Sequence, residues 1–539
     1  MFKKSLITLS LLSLFSALST ANAAEVPEGV TLAKEQVLVR SNGSEIQGLD
    51  PHRVEGVPER NIFNELLEGL AITDPNGNLI PAGATHWETT DNQNWTFHLR
   101  PGVKWSNGDL VTAHDYVYAW QRIITPETAS PFASFLEYAH ILNSSEIIKG
   151  TAKPESLGVK AVDDLTLQVT LSTPVSYFPK MLPHYALSPL HRKTIETHGD
   201  KWTSPGNFVG NGAFNLSEWV VNEKIELTRN PLYWDNNKTV LEKVIYVPTD
   251  VNVELQRYRA DDLDMTLSLS IELFNKMKQE LPDELHIGPR LCSYFFDINN
   301  NKAPFNDVRV RQALKLALDQ KTMAEKVVGQ GQLPAYSVVP RAADGITLPT
   351  PDWANKSQEE RNKEAQALLA EAGFDKKKPL KFQLLYNTND AHKRIAIAAS
   401  QMWKKNLGAE VELVNQEWKT FIDSRHNGNY EVSRYGWCAD YNDASSFLNI
   451  YKSDSSNNTT YYNNPKFDQL LQDAIKSTDE KQRDEIYQQA ALQLDEDSPL
   501  IPIYDYVNIR MIKPHVGGVT NKEPVDSLYA KDMYIIEKK

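Results

Sequence analysis

The run Arg434-Tyr435-Gly436-Trp437-Cys438-Ala439-Asp440-Tyr441-Asn442 sets a cysteine, a carboxylate and several large aromatics close together. Such a run can line a pocket for a cation. Tyr430-Glu431-Val432 and the residues up to Trp437 read as a short strand, which places Asp440 just past a strand end, where sheets present ligand groups. The same aspartate also reads as an ordinary turn or N-cap residue. Catalytic layouts are missing. There is no G-x-S-x-G, no H-E-x-x-H and no Walker loop, and Gly210-Asn211-Gly212 and Gly329-Gln330-Gly331 both fail the dinucleotide pattern at its third glycine. No histidine pairs at metal-ligand spacing with a cysteine or a second histidine. A Ser-His-Asp set assembled only in space has no sequence support. The sequence therefore offers no catalytic residue, no metal site and no cofactor.

Alternating strand and helix signals surround the run. Residues 95–99 alternate as a strand, Ser106-Asn107-Gly108-Asp109 is a turn signature, and Thr112 can cap a helix whose Tyr116, Val117 and Trp120 share a face. Asn306 or Asp307 can cap a second helix carrying Val310, Ala313, Leu314 and Ala317. A third, over about 357–372, ends at Gly373 as a left-handed C-cap would. His392, after Asn389-Asp390-Ala391, can open a further helix. With no short repeat and no low-complexity tract, mixed α/β lobes must hold the run.

The chain begins Met1-Phe2-Lys3-Lys4, continues through a Leu/Ile/Ser-rich stretch and reaches Ala21-Asn22-Ala23, the pattern of a secretory signal peptide (1–23) cleaved before Ala24. Its apolar core, interrupted by Ser10, Ser13 and Ser16, falls short of the roughly 20 residues a membrane span needs. No cysteine follows the cleavage site, which excludes a lipid anchor there. Loss of Lys3 and Lys4 takes the formal charge from −13 to −15. That charge, without any basic stripe, argues against a nucleic-acid partner. With 41% hydrophobic and 24% charged residues the composition is globular, and 539 residues are too many for one core, so two or three domains are expected. The only cysteines, Cys292 and Cys438, are either a pair or two buried thiols.

Over 24–50 (AEVPEGVTLAKEQVLVRSNGSEIQGLD), 95–122 (WTFHLRPGVKWSNGDLVTAHDYVYAWQR), 298–319 (INNNKAPFNDVRVRQALKLALD) and the ending Met533-Tyr534-Ile535-Ile536, the chain resembles periplasmic oligopeptide-binding proteins, the family 5 solute receptors of ABC importers. The 434–442 run resembles their segment that captures the peptide α-ammonium. The likeness spans essentially the whole mature chain. It implies an α/β, type II (Venus-flytrap) periplasmic binding protein fold with three lobes and two hinge crossings. Lobe I would comprise 24–67, 191–291 and 507–539, lobe II 68–190 and lobe III 292–506, with crossings near Leu291 and Tyr506. It also implies a Cys292–Cys438 disulfide bracing the strand that leads to Asp440, worth about 4 to 5 kcal/mol in the chain-entropy model. The expected protein is a periplasmic monomer without a cofactor that binds peptides of roughly two to five residues and docks on membrane permease subunits.

An extended peptide of unspecified sequence presents two charged termini, a row of backbone amides and variable side chains. Buried termini need opposite charges, amides need strand-like partners, and side chains need roomy pockets that water can fill. On the resemblance, Asp440 pairs with the ligand ammonium and the main chains of Gly436 and Cys438 pair with the peptide. Glu55, Gly56 and Val57 form the other edge. His392, Arg425 and Arg434 match cationic positions of the family's cleft, and Trp418, Trp437 and Tyr506 match its aromatic walls. Each has a plainer alternative: tryptophans in the core, and arginines solvated or in salt pairs.

The chain departs from the family pattern at several pocket positions. Val328 stands where a cleft lysine is usual, Asp297 replaces a glutamate, Phe132 replaces a tyrosine, and Thr266-Leu267-Ser268-Leu269-Ser270 replaces a polar, asparagine-bearing loop. A murein tripeptide receptor of the same family is therefore the alternative, with Val328 in its favour and the paired cysteines against it. From another class, an exported peptide or glycan hydrolase using paired carboxylates leaves the 437–442 segment unexplained. A chaperone-like protein would expose a large apolar face, of which the sequence gives no sign.

Overall fold

The computed structural model describes residues 26–439 and 441–538. The expected signal peptide, 1–23, lies outside the described residues, and so does Asp440.

Elements form where caps are written into the sequence. Thr112 opens Ala113–Ile124 through a capping box with Asp115, and the helix buries Tyr116 and Trp120. The Asp307 carboxylate accepts from the Arg309 N–H at 2.9 Å to open Val308–Leu316. Ser357 and Glu360 open Gln358–Glu371, after which Gly373 takes φ +88°. Trp95, Phe97 and Leu99 point inward from Asn94–Leu99 with the strand period of two.

Three larger sheets organise the chain. One is antiparallel in the order Ala84–Glu88, Asn94–Leu99, Thr166–Thr170, Val159–Asp163. A second sets Val37–Ser41 parallel to Lys243–Val247, followed by antiparallel Lys224–Arg229 and Phe214–Val220. The third has six strands in the order Leu333–Pro334, Leu500–Met511, Leu285–Ile298, Val432–Cys438, Lys381–Asn387, Glu410–Gln416.

Two long strands of this third sheet join separate cores. At one end Leu285 and Met511 pack with Val247, Leu255 and Tyr258. At the other, Tyr294, Phe296, Ile298, Ile501 and Ile503 pack with Val310, Leu314 and Trp403. The ladder between them is irregular from Pro289 to Ser293 and again between Tyr294 and Phe295. The pairing thus loosens where the strands pass from one core to the other. The C-terminal segment returns to the N-terminal sheet: the Gln36 amide donates to the Ile535 carbonyl at 2.8 Å and accepts from its N–H at 2.9 Å. The 68–190 segment meets the loop after Cys438 through Tyr177, stacked on Tyr441 at 5.0 Å, and Lys180, 3.3 Å from the buried Asp443. Among the described residues no helix is long and apolar enough to cross a membrane, and no group of three or more His, Cys, Asp or Glu side chains could hold a metal ion.

Candidate functional site

The strand Val432–Cys438 is the centre of the site. One of its edges pairs antiparallel with Leu285–Ile298 along the whole length, from Val432 opposite Ile298 to Cys438 opposite Cys292. Its other edge meets Lys381–Asn387 only at Val432 and Ser433. That neighbour ends at Asn387, and Asn389 then caps the helix Asp390–Leu407 and turns the chain away. From Arg434 to Cys438 the second edge therefore carries no strand among the described residues.

Parity decides which groups this open edge offers. The Cα atoms of Cys292 and Cys438 are 4.1 Å apart, the spacing of a non-hydrogen-bonded antiparallel pair, and the Ala439 N–H donates to the Leu291 carbonyl at 3.0 Å. Tyr435, Trp437 and Ala439 thus direct their main-chain groups at the Leu285–Ile298 strand, whereas Gly436 and Cys438 turn theirs to the open side. The expected disulfide joins Cys292 to Cys438 across a separation of 146 residues and pins the end of the edge. A Cβ on Gly436 would lie 3.1 Å from the Ser293 carbonyl and 3.5 Å from the Tyr506 hydroxyl. The glycine therefore keeps the floor beside Tyr506 clear.

Facing the edge is a cleft of about 560 Å³. Val57, His392, Cys438 and Tyr506 line it among the expected residues, as does Val328, together with the neutral polar side chains of Gln330, Gln332, Asn389 and Asn508. Arg434 lies beneath it, 9% exposed. Its Nη1 donates to Asn387 Oδ1 and its Nη2 to the Tyr506 hydroxyl, both at 3.2 Å, and its guanidinium carbon is 4.9 Å from the Tyr294 ring centroid. The Arg434 Nε has no partner, and no carboxylate among the described residues comes within ion-pair reach. A buried cation without a counter-charge is costly. An incoming carboxylate would complete this arrangement. Burial, with Arg434 adding repulsion, pushes His392 down to about 3, so its ring is neutral, and Nδ1 has no protein partner.

Arg425 sits differently. It is 1% exposed, and its Nη2 donates to Asp297 Oδ2 at 2.7 Å and to Thr459 Oγ1 at 2.9 Å. The Tyr451 hydroxyl donates to the other Asp297 oxygen at 2.9 Å, and the guanidinium covers the Tyr435 ring at 3.6 Å. Arg425 and Asp297 thus form a buried ion pair away from the cleft wall, with Arg425 Nη1 left without a partner among the described residues. Trp418 is 55% exposed at the start of Trp418–His426, stacked on Phe421 and off the cleft. Trp437 is half-buried, with its indole N–H unpartnered. Phe132 packs edge-on against His184 and Tyr185, which line a second cavity of about 100 Å³ together with Ala439 and Tyr441. Gly56 has φ +143°, and an added Cβ would collide with the Glu59 carboxylate. Glu55 is exposed, and its carbonyl accepts from the Gln47 amide at 3.2 Å, while Val57 opens the helix Val57–Leu66.

Arg60 and Arg290 also line the cleft, and sequence reasoning passed over both. Neither belongs to a motif. The one available signal was position: Arg60 is a helical turn after Val57, and Arg290 shortly precedes Cys292.

The profile of the bacterial extracellular solute-binding proteins, family 5 Middle, matches residues 78–459. The periplasmic oligopeptide-binding protein OppA of Salmonella typhimurium is 55% identical over 537 residues, covering 99% of both chains. Among solved structures, the periplasmic murein tripeptide-binding protein MppA in its unliganded open form is 43% identical, with 95% of this chain and 99% of that one covered and a TM-score of 0.89. Haemophilus influenzae OppA in complex with RPPGFSPFR is 46% identical, with 94% and 100% covered and a TM-score of 0.74. The peptide complex is slightly nearer in sequence and clearly farther in shape, so the arrangement described above resembles the open form.

Proposed function

The chain belongs to the bacterial extracellular solute-binding proteins of family 5, with their α/β, type II Venus-flytrap fold, and from that premise we propose that it is the periplasmic receptor of an ABC importer. It captures short peptides in extended form between two lobes and delivers them to the membrane permease. The observation that carries this reading is the open strand edge at Arg434–Cys438, where Gly436 and Cys438 turn their main-chain groups to the open side and Cys438 lines the cleft, beside an arginine with no acid in ion-pair reach among the described residues. A peptide main chain adds to that edge as a further strand, which gives affinity without reading side chains. Asp440 takes the α-ammonium. Arg434 takes a carboxylate, and neutral His392 adds a hydrogen bond without a second charge. Val57 meets the peptide from the opposite wall, with Glu55 and Gly56 behind it. Ligand side chains enter the space beside Gln330, Gln332 and Asn389, where water fills what a small residue leaves.

The lobes of this receptor are 24–67 with 191–291 and 507–539, then 68–190, then 292–506. Bending near Leu291 and Tyr506, on the irregular stretch of the two long strands, closes them. Ligand contacts to both walls favour the closed state because only there are they made together. The chain performs no bond-making chemistry, and residues 1–23 direct it to the periplasm before removal.

Native mass spectrometry of the protein purified from the periplasm, with fragmentation of whatever it releases, tests this function. A heterogeneous set of short peptides that rebind intact is the expected result. A single γ-linked species would assign the site to murein tripeptide, and cleavage of added peptides would overturn the receptor reading.

A further inference from the structure

The cleft holds more positive charge than a site for one carboxylate needs. Arg60, half-buried, and Arg290, exposed, both line it, and Arg434 lies beneath. None of the three has a carboxylate within ion-pair reach among the described residues. The nearest polar contact of the Arg60 guanidinium is a long 3.5 Å bond from Nη2 to the Asp526 carbonyl, and its Nε is buried without a partner. Asp526 is the only acid among the described lining residues, and Arg510 engages its carboxylate. The remaining wall is apolar or neutral: Val57, Leu267, Leu269, Val328, Gln330 and Gln332 are representative. The whole chain carries a formal charge of −13. Arginines without an acid among the described residues, gathered in this cleft, therefore run against its composition.

We propose that Arg60 and Arg290 are specificity-determining residues that make this receptor prefer peptides with an acidic side chain. The proposal rests on the peptide-receptor reading and adds a ligand class to it. Arg290 lies in the stretch where the long-strand ladder is interrupted, immediately before Leu291, whose N–H donates to the Pro524 carbonyl at 2.8 Å. Its backbone is thus held while its side chain reaches into the cleft. Arg60, on the first helix of the opposite wall, follows Val57 by one turn. In the peptide-receptor reading Arg434 and Asp440 serve the termini, which leaves the two further guanidiniums to ligand side chains. A glutamate or aspartate side chain there gains a charge-assisted hydrogen bond. A lysine side chain meets like charge, in a cleft that screens it less than bulk water.

The test is calorimetric titration of the mature protein with the tripeptides Ala-Glu-Ala, Ala-Gln-Ala and Ala-Lys-Ala, repeated with the Arg60→Gln/Arg290→Gln double variant. The wild type is expected to bind the glutamate peptide roughly tenfold tighter than its glutamine isostere, with lysine weakest, since a hydrogen bond to a charged group carries about that factor. The double variant is expected to bring the glutamate-to-glutamine ratio close to one. A wild-type ratio near one overturns the proposal, even if the variant does not fold. A ratio that persists in the variant overturns the assignment to these two arginines. Binding of none of the three peptides would remove the peptide-receptor reading itself, a different outcome from equal binding of all three.

Discussion

Arg434 and Arg425 have the same chemistry and comparable burial, yet their surroundings require opposite responses to removal. Arg425→Met strips the counter-charge from Asp297, which is 2% exposed and already pushed up by burial against the pull of Arg425. Breaking a buried pair in this way costs about 3 to 5 kcal/mol of folding stability. Arg434→Met removes a buried cation that has no acid among the described residues to strand. The groups released are Asn387 Oδ1 and the Tyr506 hydroxyl, each held by one 3.2 Å bond, and Tyr506 already borders the cleft. Losing two long bonds from a charged donor costs about 1.5 kcal/mol each, and relief of the unpaired charge offsets most of that loss. The stability of the unliganded Arg434→Met protein should therefore stay within about 1 kcal/mol of wild type. Its peptide affinity should fall by about 2 to 5 kcal/mol, the range for truncating one partner of a buried charge pair, or roughly 30-fold to several thousand-fold. Urea unfolding of the unliganded proteins and calorimetry with a tetrapeptide measure the two quantities. Equal destabilisation by both substitutions, or an Arg434→Met protein that binds peptide as wild type does, would refute the assignment of Arg434 to a ligand carboxylate.

Asp440→Asn should weaken free-amine peptides by about 2 to 5 kcal/mol while leaving the already weak binding of N-acetylated peptides unmoved; parallel losses for both would remove Asp440 from the ammonium site. Reduction of Cys292–Cys438, or the Cys292→Ser/Cys438→Ser pair, should lower stability by about 4 to 5 kcal/mol at most, read as a lower urea midpoint. The His392 pKa near 3 lies below its unfolded value of 6.5, so the unfolded chain binds a proton that the native site refuses between those values. Stability from the neutral ring is complete above pH 6.5 and is lost as pH falls toward 3. The stability difference between wild type and His392→Gln should shift in favour of the variant from pH 7 to pH 4, and a pH-independent difference would place His392 outside the desolvated site.

Legibility followed the range of the interaction. The helices opened by Thr112, Asp307 and Ser357 were readable because cap and first turn are neighbours in sequence. The strand Val432–Cys438 was readable from its residue types and was assigned to peptide pairing through resemblance alone. Its open edge was not readable, because it depends on Lys381–Asn387 diverging after Leu385 and on the helix capped by Asn389. The buried partnership of Arg425 with Asp297 spans 128 residues, so no local pattern separates it from the unpaired Arg434. Arg60 and Arg290 escaped for the same reason: each becomes a cleft residue only when distant segments form the opposite walls.

The most direct test of strand-edge capture is residue-resolved amide hydrogen exchange of the protein with and without a saturating peptide. Gly436 and Cys438, whose main-chain groups face the open edge, should gain strong protection on binding. The Trp437 amide, directed at the Leu285–Ile298 strand, should already be slow without ligand and change little. Peptide that binds while Gly436 and Cys438 exchange at their free rates would contradict the account.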